Sequence, residues 1–428
     1  MLTLKQATML GNVPSGWDVK PLKALLEFNA PGDWGDDGGP HMFRVLRSTN
    51  LTNERWLNLS DIAVRALKPE KAEQLAPRKG DVLLERSGGG PDQPVGRIGY
   101  VASDMPGYAF SNFLHLLRPD PSAVDPAYLC WLLFRVNRTG RVLRLEQQTT
   151  QMRNLNFRDY LTMPLPVPPP DEQAAIARVL DAVDTAIERA REALGRAELL
   201  DHSLLHDLID RGKKKPAHWA TKRVDEVADV GSGVTLGKDV TGFKHVELPY
   251  LRVANVQDGH LDLSTIKTVK VRCDEADRYR LESGDVLMTE GGDLDKLGRG
   301  TLWEGQIPDC LHQNHIFRVR ADRSQLDPRF FSLVVESDIA KRYFNRVAKR
   351  TTNLASTNKT QVRAFTFPLP SPPEQEQIIE AMGASKATLS ALRNKRSALE
   401  QLKKSLMHDL LTGTVRVDPA LFKEEALA

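Results

Sequence analysis

The chain repeats itself in register. Pro14-Ser-Gly-Trp17 returns as Pro216-Ala-His-Trp219, and Leu46-Arg-Ser-Thr-Asn50 as Leu251-Arg-Val-Ala-Asn255. Gly80-Asp-Val-Leu83 returns as Gly284-Asp-Val-Leu287, and Asp125-Pro126 as Asp327-Pro328. Thr149-Thr150 returns as Thr351-Thr352, and Pro164-Leu-Pro-Val-Pro-Pro169 as Pro368-Leu-Pro-Ser-Pro-Pro373. Ser203-Leu-Leu-His-Asp-Leu208 returns as Ser405-Leu-Met-His-Asp-Leu410. The order is kept, and every offset lies between 202 and 205 residues. Seven pairs in one register define two copies of one fold. A pseudo-two-fold chain can meet a pseudo-two-fold partner, and duplex DNA is a common one.

Each copy divides in two. Its first part mixes short β-branched runs with Gly and Pro punctuation; Asp81–Leu84 and Arg97–Val101 read as strands. Asp125-Pro126 and Asp327-Pro328 read as an N-cap followed by proline at the first helical position. Each first part is therefore an α+β globule. The proline runs that follow admit neither a helix interior nor a central strand and mark a stiff boundary. A long helix comes next. Positions 176, 180, 183, 187, 190, 194, 197, 201, 204 and 208 step by four and three, and nine of the ten are apolar, with Asp201 the exception. Positions 378, 382, 385, 389, 392, 396, 399, 403, 406 and 410 keep the phase, with Ser385, Arg396 and Lys403 polar. This is a coiled-coil seam, predicting two helices of about 38 residues, roughly 57 Å long, paired antiparallel. Leu199, Leu200, Leu205, Leu402 and Met407 lie off the seam and suggest a second apolar stripe for a partner protein.

With 428 residues the chain exceeds one ordinary domain, and 41% apolar content supports real cores. Three scattered cysteines exclude a disulfide framework and a CxxC zinc knuckle. They fit a reducing cytoplasm. No run of 18 apolar residues and no signal-peptide profile is present, so no membrane association is expected.

Catalytic motifs are missing. Gly231-Ser-Gly-Val-Thr-Leu-Gly237-Lys238-Asp239 approaches a Walker A loop, but its first glycine is misplaced and Asp239 lacks the hydroxyl for Mg²⁺. No adenine-methyltransferase tetrad of Asn or Asp, two prolines and an aromatic occurs. Ser87-Gly-Gly-Gly90 is followed by Pro91 and reads as a loop. Asp293-Leu-Asp295-Lys296 has nuclease letters in a glycine-rich setting. His206 and His408 read as packed or capping residues, and no metal site is expected.

Charge is more informative locally than in the total of +3. From Arg135 to Arg158 stand Arg135, Arg138, Arg141, Arg144, Arg153 and Arg158 against Glu146 alone. From Ile339 to Pro373 stand Lys341, Arg342, Arg346, Lys349, Arg350, Lys359 and Arg363 with no acid. The windows coincide under the repeat, and both continue into a Thr-Thr loop rich in Asn and Gln. Lys and Arg neutralise phosphates, and Arg, Asn and Gln read base edges.

Together these pieces resemble the DNA-specificity subunits of type I restriction–modification enzymes, over nearly the whole chain. The strongest marks are Pro164–Gln173 and Pro368–Gln377 leading into long helices, the ending Leu406–Val417, and the Pro-x-x-Trp openings. The resemblance implies two target-recognition globules, each reading half of a split site on double-stranded DNA, with the helices as spacer. It implies two modification subunits that bind S-adenosylmethionine and methylate adenine, and two restriction subunits that use ATP and Mg. No cofactor is expected on this chain and no catalysis. The expected division is 1–168 and 214–372 for the globules, 169–213 and 373–415 for the helical spacers, and 416–428 for the tail. Base contacts are expected from Arg86, Ser87, Gln93, Gln151, Arg153 and Asn154 in the first globule, with Arg97 among its further DNA-binding residues. Glu290, Lys296, Arg299, Asn353, Asn358 and Lys359 are their counterparts in the second. The alternatives are a duplicated protein-interaction adaptor, or a nuclease or methyltransferase with an unrecognised site.

Overall fold

The computed structural model describes residues 7–8, 11–89, 93–148, 153–210, 216–292, 297–350 and 355–422. The chain forms two compact units, one of Met1–Ala190 with Lys395–Ala428 and one of Arg191–Asn394.

In the first unit four antiparallel strands lie in the order Leu26–Pro31, Leu114–Pro119, Val82–Glu85, Ile98–Tyr100. A second sheet runs Ala63–Ala66, Met42–Leu46, Tyr108–Phe110, its last pair parallel. The second unit repeats both. Ala228–Ser232, Ile316–Ala321, Asp285–Thr289 and Gly300–Leu302 form its four-stranded sheet. Lys267–Arg272, His245–Leu251 and Leu311–His312 form its three-stranded one, again with a parallel last pair. Alternation explains the strands. In Lys267–Arg272, Val269 and Val271 turn to the core while Thr268 and Lys270 stay outside.

The Asp-Pro pairs start helices as expected. Asp125 accepts from the Tyr128 N–H at 2.8 Å ahead of Pro126–Arg138, and Asp327 accepts from the Arg329 N–H at 2.8 Å ahead of Pro328–Glu336. The second unit then departs from the first. Ser337 is extended, and a separate helix, Asp338–Val347, begins after it.

The repeated motifs are hydrogen-bonding devices of the scaffold. Asp81 pairs with Arg118 and Asp285 with Arg320, and the preceding Gly80 and Gly284 take φ of +94° and +100°, where a side chain is strained. Asn50 bridges the Arg47 N–H to the carbonyls of Asn58 and Asp61; Asn255 does the same between Arg252, Asp262 and Thr265. The Trp17 and Trp219 indoles donate to Glu172 and Glu374. The proline runs are more than boundaries. Pro164–Val167 pairs with Asp18–Pro21, Thr366–Leu369 pairs with Ala220–Arg223, and the long helices then start on Pro170 and Pro372. Gly231 and Ser232 end the strand Ala228–Ser232 rather than opening a phosphate loop. A Cβ on Gly233 would lie 2.0 Å from the His312 carbonyl.

Gln173 and Gln375 tie each long helix to its globule. Gln173 Oε1 accepts from the Asp125 N–H at 2.7 Å and its Nε2 donates to the Pro168 carbonyl at 2.8 Å; Gln375 repeats both bonds with Asp327 and Pro370. Gln173→Ala is expected to cost about 1–3 kcal/mol for each buried group it orphans. Urea titration of the full chain measures it, and a loss under about 0.5 kcal/mol, the range of surface substitutions, would remove this role.

The long helices span Pro170–Ile209 and Pro372–Thr412. Within the second unit Glu198 meets Arg393 and Asp201 meets Ser385; within the first Asp184 meets Lys403 and Ile176 shares a core with Leu410. Rising numbers on one helix meet falling numbers on the other, so the segments run antiparallel. Of the polar seam positions, Asp201 and Ser385 pair with each other, whereas Lys403 meets Asp184, one residue off the seam, and Arg396 lies 3.7 Å from Glu400 on its own helix. Ser385 donates to Asp201 at 2.6 Å, and the Lys403 ammonium sits 2.6 Å from Asp184. The seam drifts by one residue late in the first helix, where Leu205 and Ile209 are buried and Leu204 and Leu208 half-buried.

Candidate nucleic-acid interface

In each unit the loop after the Gly-Asp strand is joined to the hairpin that follows the basic helix. In the first unit the Leu155 N–H donates to the Arg86 carbonyl at 2.7 Å, the Gly88 N–H to the Arg153 carbonyl at 3.2 Å, and Ser87 Oγ to Asn154 Oδ1 at 2.6 Å. Strands Glu146–Gln148 and Arg153–Leu155 form the hairpin. In the second unit Gly291–Gly292 pairs with Ala355–Ser356, which pairs with Lys349–Arg350. The Glu290 carbonyl accepts from both the N–H and hydroxyl of Thr357. Arg86, Ser87, Arg153 and Asn154 thus share one surface, and Glu290, Lys349 and Arg350 share its counterpart.

Beneath the first surface lies His115, stacked 3.8 Å from the Phe157 ring and 3.1 Å from Asn29 Oδ1. Burial, with the Arg86 charge second, pushes its imidazole down to about 4. It is neutral at physiological pH and serves as an apolar floor for Arg86, whose guanidinium stands 5.4 Å from the Phe157 ring. The sequence held no periodic signal for this histidine.

The basic windows divide once folded. Arg138 and Arg144 are exposed and Arg141 half-buried, and among the described residues no carboxylate pairs with any of them. Gly140, at φ +68°, turns the chain between the helix and the short Arg141–Leu145 helical turn. Lys349, Arg350 and Lys359 are exposed, and Arg350 donates to the Asn345 carbonyl. Arg346 stacks on Tyr343 at 5.7 Å. Other members carry internal partners. Arg153 pairs with Glu146, Lys341 with Asp258 and Arg342 with Asp210; Gln93 bonds Asn53, and Arg299 bonds Gln257.

Three of the expected residues carry partners within the fold. Arg97 spends its whole guanidinium on the Glu85 carboxylate and the carbonyls of Ser48 and Leu51, so the fold uses it internally. Arg135 is 5% exposed and donates to the Met407 carbonyl and to His408. Asn358 caps the helix Lys359–Ala364, accepting from the Gln361 N–H at 2.9 Å. Asn156, 202 residues earlier, caps Phe157–Leu161 in the same way, so the repeat itself carried that signal. Gln151, Lys296 and Asn353 lie outside the described residues, as do Thr149-Thr150, Thr351-Thr352 and the Asp293–Lys296 segment.

The profile of the type I restriction modification DNA specificity domain matches twice, at residues 14–194 and 216–401. The chain belongs to this specificity family. Among curated relatives of this specificity chain, the type I restriction enzyme EcoKI specificity subunit of Escherichia coli strain K12 is 20% identical over 389 residues, covering 86% of this chain and 82% of its own. The StySPI specificity subunit of Salmonella potsdam is 19% identical over 391 residues, with 86% and 82% covered. Among solved structures, the type I restriction–modification S subunit from M. genitalium matches with TM-score 0.58 at 15% identity, covering 95% of this chain and 99% of that one. A chain from a study of complex assembly and conformational transition of the type I system matches with TM-score 0.54 at 18% identity, covering 94% and 100%. These likenesses show a shared fold.

The off-seam apolar stripe of the specificity chain is smaller than expected. Leu205 and Met407 are 4% and 8% exposed and belong to the hydrophobic cores of their own units, so neither is open to a partner. Leu199 and Leu200, at 73% and 71%, and Leu402, at 45%, remain outside. Among the described residues no helix is long and apolar enough to cross a membrane.

Proposed function

We propose that this specificity subunit reads a bipartite double-stranded DNA target, one globule per half-site, and scaffolds the subunits that act on it. The supporting observation is that what repeats between the units is the scaffold, whereas the joined loop-and-hairpin surfaces differ in sequence. Under the repeat Arg86, Ser87, Arg153 and Asn154 correspond to Glu290, Gly291, Ala355 and Ser356, and Lys349 and Arg350 correspond to Gln147 and Gln148. One framework with two different surfaces suits two different half-sites. Exposed Arg138, Arg144, Lys349, Arg350 and Lys359, with half-buried Arg141, would supply phosphate contacts, with Lys341, Arg342 and Arg346 beside them. The globules would span residues 1–168 and 214–372, the spacers 169–213 and 373–415, and the tail 416–428. Leu199, Leu200 and Leu402 would belong to the partner surface. Two modification subunits would bring S-adenosylmethionine and methylate adenine, flipping the base from the stack. Two restriction subunits would bring ATP and Mg, and the complex would work in the cytoplasm.

Reversing Arg141, Arg144, Lys349 and Arg350 together is expected to weaken binding more than tenfold and to flatten the logarithmic salt slope by about 3–4, near 0.9 per lost phosphate contact. Gel shifts with the co-expressed modification partner across a salt series measure both. Exchanging residues 14–163 for the equivalent globule of a relative should alter one methylated half-site and leave the other and the gap. A methylome in which both halves change together would end the two-head reading.

A further inference from the structure

In each unit a tight turn leads into an inner strand of the four-stranded sheet, and its backbone is held in the same way twice. In the first unit the turn is residues 111–114. The Leu114 N–H closes it on the Ser111 carbonyl at 2.9 Å, the Ser111 N–H donates to the Leu46 carbonyl at 2.8 Å, and the Phe113 carbonyl accepts from the Arg86 N–H at 2.8 Å. In the second unit the turn is residues 313–316. The Ile316 N–H closes it on the Gln313 carbonyl, the Gln313 N–H donates to the Leu251 carbonyl, and the His315 carbonyl accepts from the Glu290 N–H, each at 2.9 Å. Asn112 and Asn314 also match. The third residue of the turn does not: it is Phe113 in one copy and His315 in the other. Phe113 is 38% exposed. The His315 side chain is 55% exposed, and its Nδ1 meets Oε2 of Glu290.

We propose that the third residue of this turn sets one base of each half-site: Phe113 packs on a thymine methyl group, and His315 holds Glu290 to accept from a cytosine amino group. This rests on the reading of the two globules as DNA readers and names the bases they select. The turn belongs to the joined loop-and-hairpin surface, because the Ser87 N–H also donates to the Phe113 carbonyl, at 3.3 Å. A single exposed apolar side chain is ordinary on a protein surface. Here it stands on a backbone fixed by three repeated hydrogen bonds, at the position where the copies differ in chemistry. A phenyl ring makes no hydrogen bond to a base edge, so it discriminates by apolar contact. Among the four bases thymine alone shows a methyl group in the major groove. Glu290 is an acid on a surface that also carries Lys349 and Arg350. Phosphates repel a carboxylate, so its favourable partner on a duplex is a base donor, and the cytosine N4 amino group is the one that carboxylates accept from. His315 acts through Glu290 and is a positioning residue.

The test uses the full chain co-expressed with its modification partner, whose methylome gives the target. Gel shifts then compare duplexes in which each thymine of the target is replaced in turn by uracil, which lacks only the methyl group. One replacement should weaken binding by the unsubstituted chain about fourfold, the transfer free energy of one methyl group, and should leave binding by Phe113→Ala unchanged. In the methylome, Glu290→Gln and His315→Leu should each admit a second base at one cytosine position. His315→Gln, which keeps a donor for Glu290, should retain the cytosine. Far-UV circular dichroism checks that these exposed substitutions leave the fold in place. A target whose first half lacks thymine, or the same uracil sensitivity in Phe113→Ala, overturns the Phe113 assignment. An unchanged cytosine preference in Glu290→Gln, or its loss in His315→Gln as in His315→Leu, overturns the other. Exchange of residues 14–163 reads the two-head function separately. If it alters both halves that function fails, while the uracil comparison over the whole target still reads Phe113.

Discussion

Replacing Arg55 with methionine is expected to destabilise the first unit by about 3–5 kcal/mol, the cost of removing one partner from a buried ionic cluster. Arg55 is 1% exposed, and its guanidinium lies 3.9 Å from the Trp56 ring centre and 4.0 Å from that of Trp131. Its Nη2 contacts Asp181 at 2.6 Å and Asp184 at 3.3 Å. Asp184 also receives Lys403 and the Trp56 indole, and Asp181 receives the Trp131 indole. Without Arg55, Asp181 loses its cation, Asp184 keeps Lys403, and the cation held between two indoles is gone. Methionine keeps the bulk of the stem, so the cost is electrostatic rather than a void. Urea unfolding followed by tryptophan fluorescence measures it. Adding Asp181→Asn should recover part of the loss, since it removes one of the stranded charges. A loss below about 1 kcal/mol, the scale of an exposed pair, would show that the cluster contributes nothing special.

Acid should weaken both units well before the carboxylates titrate. His115 in the first unit and His312 in the second are held near 4, in both cases chiefly by burial. Arg86 adds to the effect at His115. At His312, Arg318 and Arg320 add to it, while the Tyr279 carbonyl and Asp285 oppose it. An unfolded histidine titrates near 6.5. The folded value is the lower one, so the unfolded chain binds more protons between these limits, and stability falls as pH falls. The contribution is complete above about 6.5 and is lost progressively down to about 4, amounting to about 3 kcal/mol for each histidine. Denaturation midpoints across that window should drop by the equivalent of two protons taken up. His115→Gln should flatten the drop for the first unit, and His312→Gln for the second. A stability profile flat from 6.5 to 4 in the unsubstituted chain would contradict the buried neutral state of both.

The amino-acid sequence alone carried the duplication, the Asp-Pro helix starts, the proline-bounded long helices and their seam. These are legible because they are local or periodic. A cap needs its residue next to the helix, and a heptad writes its buried face along one stretch of chain. The seven repeated motifs were also legible as repeats, but their meaning was not. Only the tertiary structure showed that Asp81 answers Arg118, Trp17 answers Glu172 and Gln173 answers the Asp125 N–H, across 37, 155 and 48 residues. Such bonds join elements distant in sequence, and nothing in the neighbourhood of either partner announces the other. The same reason divides the basic windows. Charge counting groups Arg135 and Arg141 alike, yet Arg135 meets a helix 272 residues away, and Arg97, chosen outside the windows, meets Glu85 from the neighbouring strand. Whether a guanidinium faces solvent or closes an internal network depends on what the fold brings against it. That distinction, together with the meeting of His315 with Glu290, was decided by packing alone.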